Sequence, residues 1–283
     1  MSSLRISRRH FLGSIAAVGF GAAAWMRYVE PWWVKQTHQT VPLGLGGLRL
    51  LHLSDLHANP MPLDFLDRQI ERGLAWNPDL ICVTGDFITA YQARPDWDAY
   101  ASVLSKLAKV APAYAVLGNH DGGAGAGPAG ANPAPGTVHS LLQKANLRLL
   151  HNTAEPLVIR DRRIRLVGLA DYWDRAFDPE KAFQFQTGQK SQEDAPTIVL
   201  SHNPDSKDAL APYRWDLILS GHTHGGQFSL PWIGQPLAPV RDKRFVRGLH
   251  RWNERWIHVT AGLGSLHKMR FNCPPEISCI TLA

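Results

Sequence analysis

The chain has 283 residues, of which 45% are hydrophobic and 19% charged, so it can bury a full core and is too apolar to be disordered. Its formal net charge of +6 favours anionic partners such as phosphate esters or membrane surfaces, with simple solubility as the alternative. The sequence contains no zinc-finger, helix-turn-helix or RNA-binding signature, which argues against nucleic acid as a regulatory partner. Three cysteines are too few for a disulfide framework or a thiolate metal site.

The N-terminal stretch 1–36 is expected to be a Tat-like signal or a membrane-anchor segment. Arg8 and Arg9 precede an uncharged, Gly- and Ala-rich run over 13–26. This run is shorter than the roughly 20 residues that a spanning helix needs, and it fits the apolar region of a signal peptide. Twin arginines before a weakly apolar run are typical of the export route for proteins that fold before export. The chain is therefore expected in the periplasm or on the outer face of the cytoplasmic membrane.

Whether this segment is removed stays open. Small residues at Ala22, Ala23 and Ala24 offer a cleavage site, whereas Trp25 and the pair 32–33 beyond them suit a membrane interface and a retained anchor. An exported protein meets an oxidising compartment, so a bridge between the two C-terminal cysteines is an alternative to free thiols.

From residue 48 onward, strand and helix patterns alternate as one domain, 45–283. Strand–helix–strand repeats of this length indicate a layered α/β fold with parallel strands. The run 157–168 reads as a hairpin with one wet face, and it marks the change to a second sheet, which 256–259 and 277–282 are expected to close. The Gly- and Pro-rich stretch 122–136 is expected to be a loop, either a flap over the site or a surface insertion. Further strands are predicted over 48–53, 79–86, 113–121, 147–150, 197–204 and 215–219, and helices over 62–76, 97–110 and 137–145.

Five predicted strands end in polar residues. In open α/β sheets, ligands bind in the crevice outside the carboxyl ends of the strands, so these side chains are expected to converge there. Oxygen and imidazole ligands without thiolates suit Mn, Fe or Zn, and seven ligands fit a pair of metals better than one open tetrahedral site. The eight residues at these five strand ends are Asp55, His57, Asp86, Asn119, His120, His202, His222 and His224.

These residues stand in five motifs whose order resembles the calcineurin-like metallophosphoesterase family. The match covers the chain from about residue 48 to its C-terminus. The motifs are Asp55-Leu56-His57, Gly85-Asp86, Gly118-Asn119-His120-Asp121, the single His202, and Gly221-His222-Thr223-His224. The Tat-like leader, Gly225-Gly226-Gln227 and Pro274-Pro275-Glu276 look like one branch, the exported or membrane-associated phosphodiesterases of the YaeI/YkuE type.

The resemblance implies a four-layer αββα sandwich of two mixed β-sheets flanked by helices. It further implies two divalent metal ions and a metal-bridging hydroxide that attacks phosphorus, with His120 protonating the leaving oxygen or stabilising the transition state. One metal would be held by Asp55, His57 and His224, the other by Asn119, His202 and His222, with Asp86 bridging the two.

The function implied is a metal-dependent phosphodiesterase acting as a monomer, with membrane association through the N-terminal segment. A phosphomonoesterase, a lipid-linked nucleotide-sugar diphosphatase and a non-catalytic metal-binding scaffold are the alternatives. A lipid-linked phosphate ester is one candidate substrate.

Three lesser features also leave alternatives. Asp121 is a candidate for orienting His120. The stretch 171–174 either borders the site or packs on the surface. The basic cluster Arg241, Lys243 and Arg244 either binds substrate phosphate or forms a solvated face.

Overall fold

Two six-stranded mixed β-sheets pack face to face, with helices on their outer sides. The computed structural model describes residues 7–89, 95–122, 137–187 and 195–283. The first sheet has the strand order β1-β12-β2-β3-β4-β5 and the second the order β10-β11-β9-β8-β7-β6. The α/β sandwich expected from the sequence is thus confirmed.

The described residues contain six α-helices and twelve strands. The helices are α1 (Arg8–Ala24), α2 (Leu63–Leu74), α3 (Trp97–Val110), α4 (Thr137–Lys144), α5 (Pro179–Ala182) and α6 (Ser206–Ala209). The strands are β1 (Lys35–Val41), β2 (Leu48–Leu53), β3 (Leu80–Thr84), β4 (Ala113–Val116), β5 (Arg148–Leu149), β6 (Thr153–Ile159), β7 (Arg162–Gly168), β8 (Thr197–Leu200), β9 (Leu217–Ser220), β10 (Gly248–Trp252), β11 (Arg255–Val259) and β12 (Glu276–Leu282).

Burial of apolar side chains fills three layers. The first lies between α2, α3 and α4 and the first sheet, where Phe65, Tyr100 and Leu141 are buried. The second lies between the two sheets and includes Leu50 and Leu219. The third covers the outer face of the second sheet. Strands β2, β3, β8 and β9 are buried on both faces, which explains why they read as continuous apolar runs.

The sequence-based assignment of one strand was wrong, and two strands were missed. Residues 277–282 belong to β12, which pairs in parallel with β1 and antiparallel with β2, so they complete the first sheet. The sheet to which a returning strand belongs is a long-range property that local periodicity does not encode. The polar edge strand β1 begins at residue 35, so the first sheet begins before the expected domain start at residue 45. The second missed strand, β10, lies at the edge of the other sheet.

Three further expectations concern the Gly- and Pro-rich stretch, the cysteines and a membrane-spanning helix. Residues 123–136, the body of the Gly- and Pro-rich stretch, lie outside the described residues. All three cysteines are free and buried, as expected for Cys82, and Cys273 and Cys279 form no bridge. Among the described residues, no helix has both the length and the apolar character needed to cross a bilayer.

A pair of buried histidines joins the two sheets. His52 on β2 and His258 on β11 approach to 3.0 Å between their Nδ1 atoms, so one ring donates and the other accepts. The Nε2 atom of His52 also bonds the hydroxyl of Thr84. Burial lowers the pKa of His258 to about 4 and, with the nearby His258, lowers the pKa of His52 well below its ordinary value. Both rings are therefore neutral in the folded protein at pH 7.

We expect this pair to destabilise the protein in mild acid. The unfolded chain binds protons at these rings below the ordinary pKa of 6.5, whereas folded His258 does so only near 4, so stability falls as the pH drops through that interval. Each ring adds up to about 1.4 kcal/mol per pH unit to the slope. Denaturant unfolding with a chelator present, compared between wild type and His258→Gln, measures the effect. The variant should lose less stability over this range, and parallel curves would contradict the assignment.

Candidate metal centre

The eight residues singled out in the sequence follow five buried strands. Asp55 and His57 follow β2, Asp86 follows β3, Asn119 and His120 follow β4, His202 follows β8, and His222 and His224 follow β9. Because β2, β3 and β4 are parallel neighbours in one sheet, and β8 and β9 are parallel neighbours in the other, each sheet brings its polar residues to one rim. The structure brings both rims together.

The backbone at these strand ends is strained, and glycines allow close approach. Five of the eight residues have a positive φ, between 46° and 68°, a region that side chains other than glycine rarely adopt. A Cβ atom on Gly221 would lie 2.0 Å from Ser54 Oγ, and one on Gly118 would lie 2.3 Å from Asp86 Oδ1. These positions therefore exclude any side chain while the site keeps its geometry. The five residues are Asp55, His57, Asp86, His222 and His224.

The first half of the site groups two imidazoles and a carboxylate. His224 Nε2 lies 3.0 Å from His57 Nε2 and 3.4 Å from Asp55 Oδ1. The backbone N–H of His222 donates to both oxygens of Asp55 and fixes that carboxylate. Together with Asp86, these side chains offer four ligand atoms within 4.8 Å of one another, which makes a candidate metal-ligand cluster.

The second half groups two imidazoles around one amide oxygen. Asn119 Oδ1 lies 2.8 Å from His222 Nδ1 and 3.2 Å from His202 Nε2. Asp86 Oδ2 stands between the halves, 3.3 Å from His202 Nε2 and 3.6 Å from His57 Nε2. One carboxylate oxygen thus faces both groups.

Hydrogen bonds behind the rings determine which nitrogen faces the site. His57 Nδ1 lies 3.1 Å from the carbonyl of Ile88, and His202 Nδ1 lies 2.6 Å from the carbonyl of Thr84. A carbonyl only accepts, so each Nδ1 carries a proton and each Nε2 is the nitrogen that faces Asp86. The site therefore presents a ring nitrogen from each half to one carboxylate oxygen, an arrangement that needs a cation, either a proton or a metal ion, between them.

The pKa shifts of the buried groups agree with the need for a cation. Burial lowers the pKa of His57 to about 3, which keeps the ring in the neutral, ligating form. Burial disfavours charge on His202 and Asp86, but their mutual attraction outweighs it: the pKa of His202 is raised well above its ordinary value and that of Asp86 is held well below. Burial raises the pKa of Asp55 to about 6. A divalent cation satisfies the same field in place of a proton.

Asp121 supports the backbone of the site. Its two carboxylate oxygens accept bonds from the backbone N–H groups of Asp86, Phe87, Ile88 and Gly118, at 2.8 to 3.3 Å. Both oxygens are therefore engaged with the main chain, and the expectation that Asp121 orients His120 gives way to a structural role. The residue holds the ends of β3 and β4 together.

A pocket of about 350 Å³ opens onto the two halves. Asp86, Asn119, His120, His222 and His224 line its floor. The His120 backbone N–H donates to Asp86 Oδ1 at 2.9 Å, which fixes the residue beside the cluster. The rest of the lining is largely apolar and includes Trp173, Phe228, Leu237, Pro239 and Leu266, with Gln227 and His267 as polar members.

The structure favours one of the two alternatives for each of two lesser sequence features, the stretch 171–174 and the basic cluster. Trp173 packs edge-on against the ring of His222 at 4.4 Å between centroids, so the stretch 171–174 borders the site. Lys243 donates to the carbonyl of Ala238, and Arg244 is paired with Asp242. These contacts favour the solvated alternative for the basic cluster.

Comparison with known proteins agrees with this geometry. The profile of the calcineurin-like phosphoesterase family matches residues 48–226, which contain the five motifs that carry the candidate ligands. The chain belongs to this family. Its members act on phosphate esters with divalent metals, so the chain is a hydrolase of that class.

Several relatives extend over nearly the whole chain. Phosphodiesterase YaeI of Escherichia coli strain K12 is 37% identical, over 98% of this chain and 99% of its own length. UDP-2,3-diacylglucosamine pyrophosphatase LpxG of Chlamydia muridarum is 30% identical over 95% and 97%, respectively. The metallophosphoesterase YkuE of Bacillus subtilis strain 168 is 30% identical over 98% of each chain.

Arg270 supports His224 from behind, although it was not predicted as a site residue from the sequence. Its guanidinium is fully buried and donates to the carbonyls of Gly264 at 2.5 Å, Ala261 at 2.9 Å and Cys273 at 3.1 Å. It also lies 3.3 Å from the carbonyl of His224 and 3.4 Å from its Nδ1. No local motif marks this arginine, because its partners come from three separate turns.

We expect Arg270→Lys to weaken metal retention. An ammonium has three donors and cannot reproduce the planar fork that holds the turn of His224. Loss of such support behind a ligand typically reduces metal affinity about 10- to 100-fold. Metal content after dialysis against graded chelator measures this.

The matched control is Arg244→Lys, the same change at an exposed arginine. Thermal unfolding of the metal-free proteins separates lost affinity from lost folding. Equal metal retention in Arg270→Lys and wild type would refute the role of Arg270.

Proposed function

We propose that the chain is a phosphodiesterase with a binuclear metal centre. The observation that carries the proposal is the unbroken series of close contacts through seven candidate ligand groups, with Asp86 Oδ2 at its middle. Seven oxygen and imidazole donors exceed what one open tetrahedral site uses, and they fit Mn, Fe or Zn.

The two halves of the site supply the two ligand sets. Asp55, His57 and His224 would hold one cation, and Asn119, His202 and His222 the other. Asp86 would bridge them, since its Oδ2 faces a ring from each half. When bound, the two cations would lower the pKa of a water molecule and neutralise the charge that develops on phosphorus.

His120 would supply the proton transfer. Its backbone is tied to Asp86, and its side chain lines the pocket floor without belonging to either ligand set. An imidazole in that position can give a proton to the oxygen that leaves phosphorus. The apolar rim would exclude water and contact the organic groups of the ester.

A second candidate substrate class is a lipid-linked diphosphate. The apolar rim formed by Trp173, Phe228, Leu237 and Leu266 suits an acyl or other hydrophobic group close to the reacting phosphate. The relative named UDP-2,3-diacylglucosamine pyrophosphatase supports this candidate, whereas the relative named phosphodiesterase supports the first. A phosphomonoesterase on the same site remains the third.

We also propose that the protein is exported and retained at the membrane through its N-terminal segment. Trp25, Tyr28 and Trp33 are exposed at the end of the N-terminal helix, where aromatic residues suit the interface of a bilayer. Glu30 is buried and accepts bonds from the Cys273 backbone and the Trp25 indole, so the segment is part of the folded unit. These residues lie beyond the candidate cleavage site at Ala22 to Ala24, so they stay in the folded unit whether or not the leader is removed.

Activity of the metal-free and reloaded protein tests the proposed function. Chelation should abolish hydrolysis of bis(p-nitrophenyl) phosphate, and Mn, Fe or Zn should restore it. The panel adds p-nitrophenyl phosphate and a lipid-linked diphosphate to rank the three candidates. A chain that keeps its activity without metal, or that has none with any metal on all three substrates, would contradict the proposal.

We expect His120→Gln to lower kcat while leaving metal content unchanged. Loss of a general acid typically costs 10²–10⁴-fold, and the loss should be greater for an alkyl ester than for a nitrophenyl ester, whose leaving group needs no proton. His139→Gln, the same change at an exposed histidine on α4, is the control. An equal effect on both esters would argue against proton donation by His120.

A further inference from the structure

The loop 230–237 holds apolar side chains out in solvent beside the pocket. Trp232 is fully exposed, and Ile233 and Leu237 are 70% and 68% exposed. A contiguous group of large apolar side chains on a surface usually marks a contact site. Leu237 also lines the pocket, so this group continues the apolar rim outward.

The loop is built to keep these side chains exposed. The backbone N–H of Leu230 donates to Gly234 at 2.8 Å, and the N–H of Gly234 donates back at 2.9 Å, which closes the turn. The Gln235 amide donates to the Ser229 hydroxyl at 2.9 Å and fixes the base. Trp232 itself has a φ of 63°, a strained conformation for a bulky residue. The turn therefore presents the indole at its tip.

Backbone contacts connect this loop to the N-terminal helix. Ser229 N–H donates to the carbonyl of Phe271, and the neighbouring Arg270 N–H donates to the carbonyl of Met26. Beyond Met26, α1 exposes Val18 and Phe20. Residues 270 and 271 thus connect the loop to the base of the helix.

The chain segment that follows the loop is basic. Residues 227–251 contain five Lys or Arg, all exposed, and one acidic residue. Two of the five are in ion pairs, Arg244 with Asp242 and Arg251 with Glu254. Exposed aromatic and aliphatic side chains among basic residues match the headgroup region of an anionic bilayer. A second copy of the chain fits less well, because a stable protein interface needs about 800 Å² per partner, more than three side chains supply.

We propose that the loop 230–237 is a membrane-contact loop that enters the headgroup region of an anionic bilayer and holds the mouth of the pocket against it. Trp232 and Ile233 insert, and the surrounding basic residues contact lipid phosphates. This contact goes beyond the proposed function, because binding to lipid requires no hydrolysis. It places the pocket where an ester embedded in the bilayer could enter from the side.

A label at the loop tip tests the contact in the full-length protein. The native cysteines are all buried, so Trp232→Cys provides a single accessible thiol for the environment-sensitive dye NBD. Val158→Cys, at a valine that is 69% exposed on the edge strand β6, is the matched control. The probes are vesicles of phosphatidylethanolamine with phosphatidylglycerol, and vesicles of phosphatidylcholine alone.

We expect the emission at position 232 to shift to the blue and rise at least about twofold on the anionic vesicles, and to respond less on neutral vesicles or in high salt. The label at position 158 should not respond. No response at 232 while the protein co-sediments with vesicles would assign membrane binding to the N-terminal segment alone. A blue shift without vesicles that grows with protein concentration would assign the loop to contact between copies. Either result overturns the proposal, and hydrolysis of a soluble diester without vesicles tests the metal centre separately.

Discussion

The structure depends on placing one buried carboxylate oxygen between two groups of polar side chains. Asp86 Oδ2 faces an imidazole Nε2 atom from each half of the site, where the side chains are buried. A buried carboxylate costs several kcal/mol unless a cation, either a proton or a metal ion, joins it to these rings. Rigid supports hold the side chains in this arrangement. Asp121 bonds the strand ends, backbone carbonyls orient His57 and His202, and glycines allow the backbone to approach closely.

Both sheets contribute residues to the site. The first contributes both aspartates and Asn119, and the second contributes three of the four histidines in the ligand sets. Movement of one sheet against the other would separate the candidate ligands, so the core between the sheets also maintains the geometry of the candidate metal centre. The buried His52–His258 pair lies in that core and makes the contact between the sheets sensitive to acid.

The convergence of these side chains could be predicted from the sequence because each candidate ligand follows a buried strand. An apolar run that ends in Asp-x-His or Gly-Asp is a local pattern, and parallel strands bring such ends together without further information. Arg270 could not be predicted in this way, since its partners lie on separate turns. The placement of β12 failed for a similar reason, because its pairing partners lie over two hundred residues away along the chain.

Anomalous diffraction from crystals loaded with Mn or Zn tests the central claim most directly. If the centre is binuclear, we expect two peaks, about 3.5–4 Å apart, on either side of Asp86. One of them should be bound by Asp55, His57 and His224, and the other by Asn119, His202 and His222. A single peak, or two peaks that do not share Asp86, would contradict this claim.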